Sequence, residues 1–339
     1  MNKAELPFVS ILVATKNEEK YILKCLESLM HMDYPSNRFE VLVIDGKSQD
    51  KTYGLVNEYK KNHPNIKLIL NEKITLPFAR NLGISLSSGE FIVNCDAHAL
   101  YPSDYVRKLV YYSILLDADN VGGVWQTLPA NEGVVSIAIA KILSSVFGVG
   151  DAKYRVSKDV ADEYLEVDTV PYGCFRKELF EKIGLYDEEL TRNQDNELNE
   201  RILNSGGCIY MVPSIKIKYF ARESYKKLWD MFYQYGFFGP LVDIKLGRRT
   251  RLRRYIPSIF ILSLVLPLPL SFFDSSFLYV AGFSLSLYLI VNLVFSLKLS
   301  KEDFFKTLPA IIYAFLVAHL SYGVGYLVGY LKFNLFKYK

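Results

Sequence analysis

The sequence predicts an α/β domain built on a parallel sheet, followed by a small α-helical transmembrane domain. Strand and helix patterns alternate through the first hundred residues, the signature of a sheet covered by helices. Three long uncharged stretches then crowd the end of the chain, and the ten residues before them, Lys245–Arg254, carry six positive charges and no negative one.

The elements follow in order. FVSILVA (Phe8–Ala14) is a continuous apolar run of buried-strand length; it has no basic leader or small-residue cleavage site and is read as a strand, not a signal peptide. EEKYILKCLESLMHM has helical periodicity, with Ile22, Leu26 and Leu29 on one face and Lys20, Lys24 and Glu27 on the other. FEVLVID, IKLILN and EFIVNCD read as further strands, separated by the helices SQDKTYGLVNEYKKN and LPFARNLGISLS. In such an order ligands bind beyond the carboxyl ends of the strands. Polar residues gather there: Thr15–Glu18 after the first strand, Asp45 after the second, Asp96–His98 after the fourth.

Beyond Asp104 the alternation stops. Val134–Val149 is apolar apart from Lys141 and some serines, and fits either a core helix or one lying at a bilayer surface. Short helices are expected within Tyr172–Ile183, from Glu197 and over Tyr225–Gln234. The uncharged stretches 255–273, 277–297 and 308–331 run 19, 21 and 24 residues, against about 20 needed to cross a bilayer core. The expected division is 1–224 as a cytoplasmic domain, 225–254 as an amphipathic and basic interfacial segment, and 255–339 as about three membrane helices.

Bulk averages hide this split. The chain of 339 residues has net charge +4, and its mean hydropathy is +0.12. Residues 1–244 carry −5 and residues 255–339 carry +3, so the main domain is mildly acidic and nucleic acid is a poor partner for it. A basic belt directly before an apolar span is retained on the cytoplasmic side and attracts anionic headgroups. Three spans then place the C-terminal lysines outside, which strains the positive-inside rule. Gly323, Gly325 and Gly329 mark where the last stretch would kink or re-enter, and their spacing also suits close packing, including that of a homo-oligomer. His319 is the lone titratable residue within the spans, so a transporter is disfavoured.

Absences narrow the chemistry. Cys25, Cys95, Cys174 and Cys208 have neither disulfide nor zinc spacing. There is no phosphate loop and no G-x-G-x-x-G after the first strand. Asp96 and His98 close an apolar strand, and alternation points both to one side, where an oxygen ligand beside an imidazole suits Mn²⁺ or Mg²⁺. Taken singly, such a strand-end Asp is most often a turn residue. Asp45 alone reads as a βα-turn carboxylate, Arg80 as a helix-face cation or a phosphate partner, and Asp195 as a first-turn acid favoured by the helix dipole.

In order, these residues resemble the inverting family 2 glycosyltransferases. The family's T-x-N-E is Thr15-Lys16-Asn17-Glu18, and its V-x-D-x-x-S-x-D-x-T runs from Val43 to Thr52. A-R-N-x-G-I is Ala79–Ile84, and D-x-D stands here as Asp96-Ala97-His98. Further on come a G-x-x-x-F-R-like segment at Gly173–Gly184 and Gln194-Asp195-Asn196-Glu197-Leu198-Asn199-Glu200-Arg201 in place of E-D-x-x-L-x-x-R. The match spans about residues 8–240, and its D-A-H-A variant is most similar to succinoglycan-biosynthesis-type transferases.

The resemblance implies a GT-A (Rossmann-like) fold and an enzyme. It implies that Thr15, Asn17, Glu18 and Asp45 hold the donor nucleoside, with Arg80 and Asp96 near its diphosphate. Asp96 and His98 would hold a divalent metal, Mn²⁺ or Mg²⁺, and Asp195 would be the general base. Gly173, Gln194 and Gln234 would face the sugar or acceptor. UDP is the default nucleotide, with GDP-mannose the open alternative. Gln234 is all that remains of the Q-x-x-R-W motif of polymer-extruding synthases, so one sugar per encounter is expected. The membrane tether suggests a lipid-borne, polyprenyl-linked acceptor. A polyprenyl-phosphate glycosyltransferase and a non-catalytic membrane-anchored nucleotide-binding scaffold are the alternatives.

Overall fold

The computed structural model describes residues 6–150, 152–156, 163–247, 252–300 and 304–335. Its strands are β1 (Val9–Thr15), β2 (Phe39–Asp45), β3 (Ile66–Leu70), β4 (Phe91–Asp96), β5 (Ala99–Leu100), β6 (Asn120–Leu128), β7 (Leu165–Glu166), β8 (Cys174–Arg176) and β9 (Ile209–Phe220). They form one sheet in the order β3-β2-β1-β4-β8-β6-β9-β5, with β7 beside β9. The β3-β2-β1-β4 half is parallel, whereas β8 runs antiparallel to both β4 and β6.

Helices on both faces explain why the parallel strands read as unbroken apolar runs. On one face Val9, Ile11 and Val13 pack with Ile22, Leu26 and Leu29 of the helix Ile22–Met30. On the other, Leu12 and Ile44 pack with Ala79 and Ile84 of the helix Leu76–Leu86. These aliphatic side chains are almost wholly buried, each Val, Leu or Ile contributing roughly 1.5–3 kcal/mol. At Gly83 a Cβ would come 2.9 Å from both Leu12 and Ile44, so the glycine of A-R-N-x-G-I lets this helix lie close on the sheet.

The chain divides into two units, Met1–Gln126 with Ala152–Tyr219, and Thr127–Asp151 with Phe220–Lys339. The expected boundary at 224 therefore misses an excursion, because residues 127–151 leave the first unit and pack in the second. Ile139 and Ile142 of the helix Val134–Ile142 are buried against Ile311, Ala314 and Phe315 of the helix Phe304–Tyr330. Lys141 Nζ donates to the Leu299 carbonyl (2.9 Å). His319 Nε2 lies 2.8 Å from the Phe147 carbonyl and Nδ1 lies 3.0 Å from Tyr288 Oη. A carbonyl can only accept, so Nε2 carries the proton and Nδ1 accepts from the tyrosine.

The tail differs from expectation in two ways. Phe277–Leu299 and the helix beginning at Phe304 are long and apolar enough to cross a membrane, but the first expected span is not. It is the short helix Ile256–Val265 followed by Pro267–Leu270, rising about 22 Å at 1.5 Å per residue against a hydrocarbon core of roughly 30 Å. Pro267 and Pro269, with no N–H to donate, interrupt it there. Phe304–Tyr330 is one continuous helix with no break at Gly323, Gly325 or Gly329. Instead the glycines admit neighbours within this chain: Gly325 faces the Tyr233 backbone and Gly329 that of Phe237, both on the helix Tyr225–Lys245, while Gly323 faces Pro257. In the basic belt, Arg254 pairs with buried Asp243 (2.9 Å), and Arg248–Arg251 lie outside the described residues.

Candidate active site

Strand register assembles the site. Thr15 pairs with Asp45 and Ala14 with Asp96, so the ends of β1, β2 and β4 lie side by side where the strand order reverses. β8, antiparallel to β4, brings Gly173 to the same edge, where its carbonyl accepts from the Asn94 N–H (3.0 Å).

The first two motifs weld the loops after β1 and β2 together. Ser48 donates its N–H and its hydroxyl to the two Asp45 oxygens (2.9 and 2.6 Å), while its hydroxyl accepts from the Asn17 N–H (2.9 Å). Asn17 Oδ1 accepts from the Gln49 N–H (2.8 Å), and the Glu18 N–H donates to Thr52 Oγ1 (2.8 Å). Asn17 and Lys47 sit at φ 56° and 57° to make these turns. Asp45 is thus buried with both oxygens bonded inside the loop, and Thr15 is buried with Oγ1 unpartnered.

Arg80 is the buried cation at the centre. Its guanidinium donates to the Leu12 carbonyl and to Asp96 Oδ1 (both 3.1 Å), and only 2% of the residue is exposed. It supports Asp96 from beneath, and its charge also acts on Asp195. Asn81, next in the motif, clamps the loop after the helix Leu179–Ile183 by exchanging hydrogen bonds with the Tyr186 backbone (both 2.9 Å).

Asp195 lies in the first turn of the helix Gln194–Asn204, entered through Asn193 at φ 64°. Burial pushes its pKa up to about 6 against the pull of Arg80, and the Asp96 charge adds to the rise. A carboxyl titrating near neutrality is suited to take a proton. Gln194 is buried, with Nε2 3.4 Å from Asp195 Oδ2 and Oε1 unpartnered. Arg201 holds the helix in place, forked onto Glu197 (2.7 and 2.9 Å) and reaching the Leu185 carbonyl (2.7 Å).

The strand β4 stops at Asp96, and Ala97 and His98 form the turn into β5, so strand alternation does not set the direction of His98. Its Nδ1 lies 3.0 Å from Glu18 Oε1. Among the described residues, Asp96 Oδ2 and His98 Nε2 make no hydrogen bond, and no group of three His, Cys, Asp or Glu converges. The donor set, one carboxylate oxygen and one imidazole nitrogen, fits a Mn²⁺- or Mg²⁺-class ion that takes its remaining ligands from substrate and water.

Gly173 is at φ 79°, and a Cβ there would lie 2.5 Å from Asn120 Oδ1. Tyr172 before it has φ 65°, which is rare for a bulky residue, and its buried hydroxyl is unpartnered. Trp125 stacks on Tyr219 (centroids 4.1 Å), and the Arg155 guanidinium lies 4.1 Å from the Trp125 ring and 5.4 Å from that of Tyr219. Sequence reading missed Tyr172, Tyr186 and this stack, since only the residues beside the Gly173 and Asn81 motifs signal them. Gln234 lies in the second unit, on the helix Tyr225–Lys245.

A family model described as glycosyl transferase family 2 matches residues 10–184, more than half of the chain. The chain belongs to glycosyl transferase family 2. It is 30% identical over 335 residues to a dolichyl N-acetyl-α-D-glucosaminyl phosphate 3-β-D-2,3-diacetamido-2,3-dideoxy-β-D-glucuronosyltransferase of Methanococcus voltae, covering 96% of this chain and 98% of that one. It is 29% identical over 243 residues to the succinoglycan biosynthesis protein ExoA of Rhizobium meliloti, covering 70% and 71%. Among solved structures it is similar to the mannosyltransferase PcManGT from Pyrobaculum calidifontis in complex with GDP-Man and Mn²⁺, with a TM-score of 0.59 at 18% identity, covering 95% and 88%. The family 2 chain is thus a glycosyltransferase with the GT-A fold.

Proposed function

We propose that this family 2 enzyme transfers one sugar, with inversion, from a nucleotide sugar to a hydroxyl of a polyprenyl-phosphate-linked sugar at the cytoplasmic face of a membrane. The observation that carries the chemistry is Asp195, a carboxyl with its pKa raised to about 6 in a site that also holds Asp96 on Arg80. In the reaction Asp195 takes the proton of the acceptor hydroxyl. The acceptor oxygen bonds to the anomeric carbon as the bond from that carbon to the diphosphate oxygen breaks, and the nucleoside diphosphate leaves with the electron pair. A divalent ion held by Asp96 and His98 would supply charge neutralisation at that diphosphate. Arg80 keeps Asp96 aimed through its hydrogen bond to Oδ1. One base and one stabilised leaving group suffice for a single in-line displacement, hence inversion.

The acceptor class rests on the tail and on the Methanococcus relative, named for transfer onto a dolichyl-phosphate-linked sugar. That name favours a sugar hydroxyl over bare lipid phosphate. An active site tethered at a membrane meets lipid-borne acceptors at high effective concentration. Two spans instead of three would return Lys332 to the side of the basic belt, in keeping with the positive-inside rule. To test the acceptor, detergent-solubilised enzyme is incubated with labelled UDP- and GDP-sugars and a lipid extract. Label in the organic phase supports the proposal, and label only in water-soluble products overturns it.

A further inference from the structure

We propose that Glu18 is a positioning residue of the metal site, fixing the His98 ring so that Nε2 is presented to the ion. This rests on the reading of Asp96 and His98 as metal ligands and assigns Glu18 a role other than holding the nucleoside.

The contact is short and sheltered. His98 Nδ1 and Glu18 Oε1 are 3.0 Å apart, and the two side chains are only 13% and 18% exposed. A carboxylate accepts and does not donate, so in the neutral imidazole that ligates a metal Nδ1 carries the proton and the lone pair is on Nε2. Carboxylates that hold the far nitrogen of a ligating imidazole select its tautomer and raise its basicity. The Tyr219 ring lies 5.3 Å from the imidazole and confines it further.

Glu18 is itself unable to drift. Its N–H is given to Thr52 Oγ1, and its carbonyl accepts from the N–H groups of Tyr21 and Ile22 (both 2.9 Å) at the start of the first helix. The loop weld between β1 and β2 therefore does more than close two turns. It sets the backbone that points a carboxylate at the residue ending the β4 strand turn. This explains how a D-x-H sequence, whose second ligand is neutral, retains a negative charge beside the ion: Glu18 supplies it one shell out.

The test measures Mn²⁺ binding by EPR titration in the presence of UDP or GDP, with pulsed EPR to detect ¹⁴N coupled to the ion. In wild type a ¹⁴N signal is expected, and it should vanish in His98→Ala. Glu18→Gln should keep the melting temperature and the metal-free affinity for the nucleoside diphosphate, yet weaken Mn²⁺ about ten- to hundredfold. In the His98→Ala background the same change should have no further effect, because Glu18 acts only through that ring. Absence of ¹⁴N coupling in wild type overturns the assignment of His98 as ligand, and this proposal with it. If coupling is present but Glu18→Gln leaves Mn²⁺ affinity within twofold, weakens metal-free nucleotide binding, or acts equally without His98, the proposal for Glu18 alone is overturned.

Discussion

Replacing Asp195 with asparagine separates what this carboxylate costs the fold from what it does in the reaction. The ordinary aspartate pKa is 3.8, and in the fold it rises to about 6, chiefly through burial. As pH rises the unfolded chain loses this proton first, so stability is full below about pH 4, falls between about 4 and 6, and stays lower above. Two pKa units correspond to about 3 kcal/mol at pH 8. The asparagine amide carries no charge to bury, so the Asp195→Asn variant should be more stable at pH 8 by about 1–3 kcal/mol, allowing for imperfect amide partners. For a domain of this size that is a rise in melting temperature of roughly 3–10 °C. At pH 5 about half of the gain should remain, because the folded carboxyl is then mostly protonated. Transfer should fall by about 10²–10⁴ over the same change. Thermal unfolding of both proteins in detergent at pH 5 and pH 8, beside initial rates of transfer, reads all of this. A variant no more stable at pH 8, or one that retains activity, refutes the reasoning.

Other consequences follow from the same geometry. A reporter fused after Lys339 should lie on the cytoplasmic side, on the same side as one fused before Met1, as labelling by a membrane-impermeant thiol reagent would show; opposite sides would restore a third span. Gly173→Ala places a Cβ against Asn120 Oδ1 at a positive φ and should destabilise by more than about 1 kcal/mol, seen by denaturant unfolding, with loss of nucleotide-sugar binding. His319→Leu leaves the Phe147 carbonyl without its imidazole donor, at a cost of about 0.6–2 kcal/mol. Faster hydrogen exchange at Val146–Val149 would report it, and unchanged exchange would count against the clamp.

The parallel half of the sheet was legible because β1, β2 and β4 are six or seven residues long and almost wholly buried, so hydrophobicity alone marks them. In the other half β5, β7 and β8 have two or three residues and carry no period, whereas β9 does carry one, with Ile215, Ile217 and Tyr219 buried and Ser214, Lys216 and Lys218 exposed between them, and it was passed over. Val134–Val149 stayed ambiguous for a related reason: an apolar helix reads the same in a core and at a bilayer surface, and its packing with Ile311 and Phe315 is visible only in the fold. The motif residues were easy to find, but sequence could not separate contact from support. Asp45 and Asn17 spend their hydrogen bonds on Ser48 and Gln49, and Arg80 spends its own on Asp96 and Leu12. Nothing in the one-dimensional order shows that Glu18 and His98, eighty residues apart, touch.

The central claim is an inverting transfer onto a lipid-linked sugar with Asp195 as base. The most direct measurement is the anomeric configuration of the product formed from an α-linked nucleotide sugar and a polyprenyl-phosphate-linked sugar, read by NMR coupling constants. A β-linked sugar on the lipid-bound acceptor is expected, with one nucleoside diphosphate released per sugar and formation slowed about 10²–10⁴ in Asp195→Asn. An α-linked product, or transfer unchanged by that substitution, would contradict it.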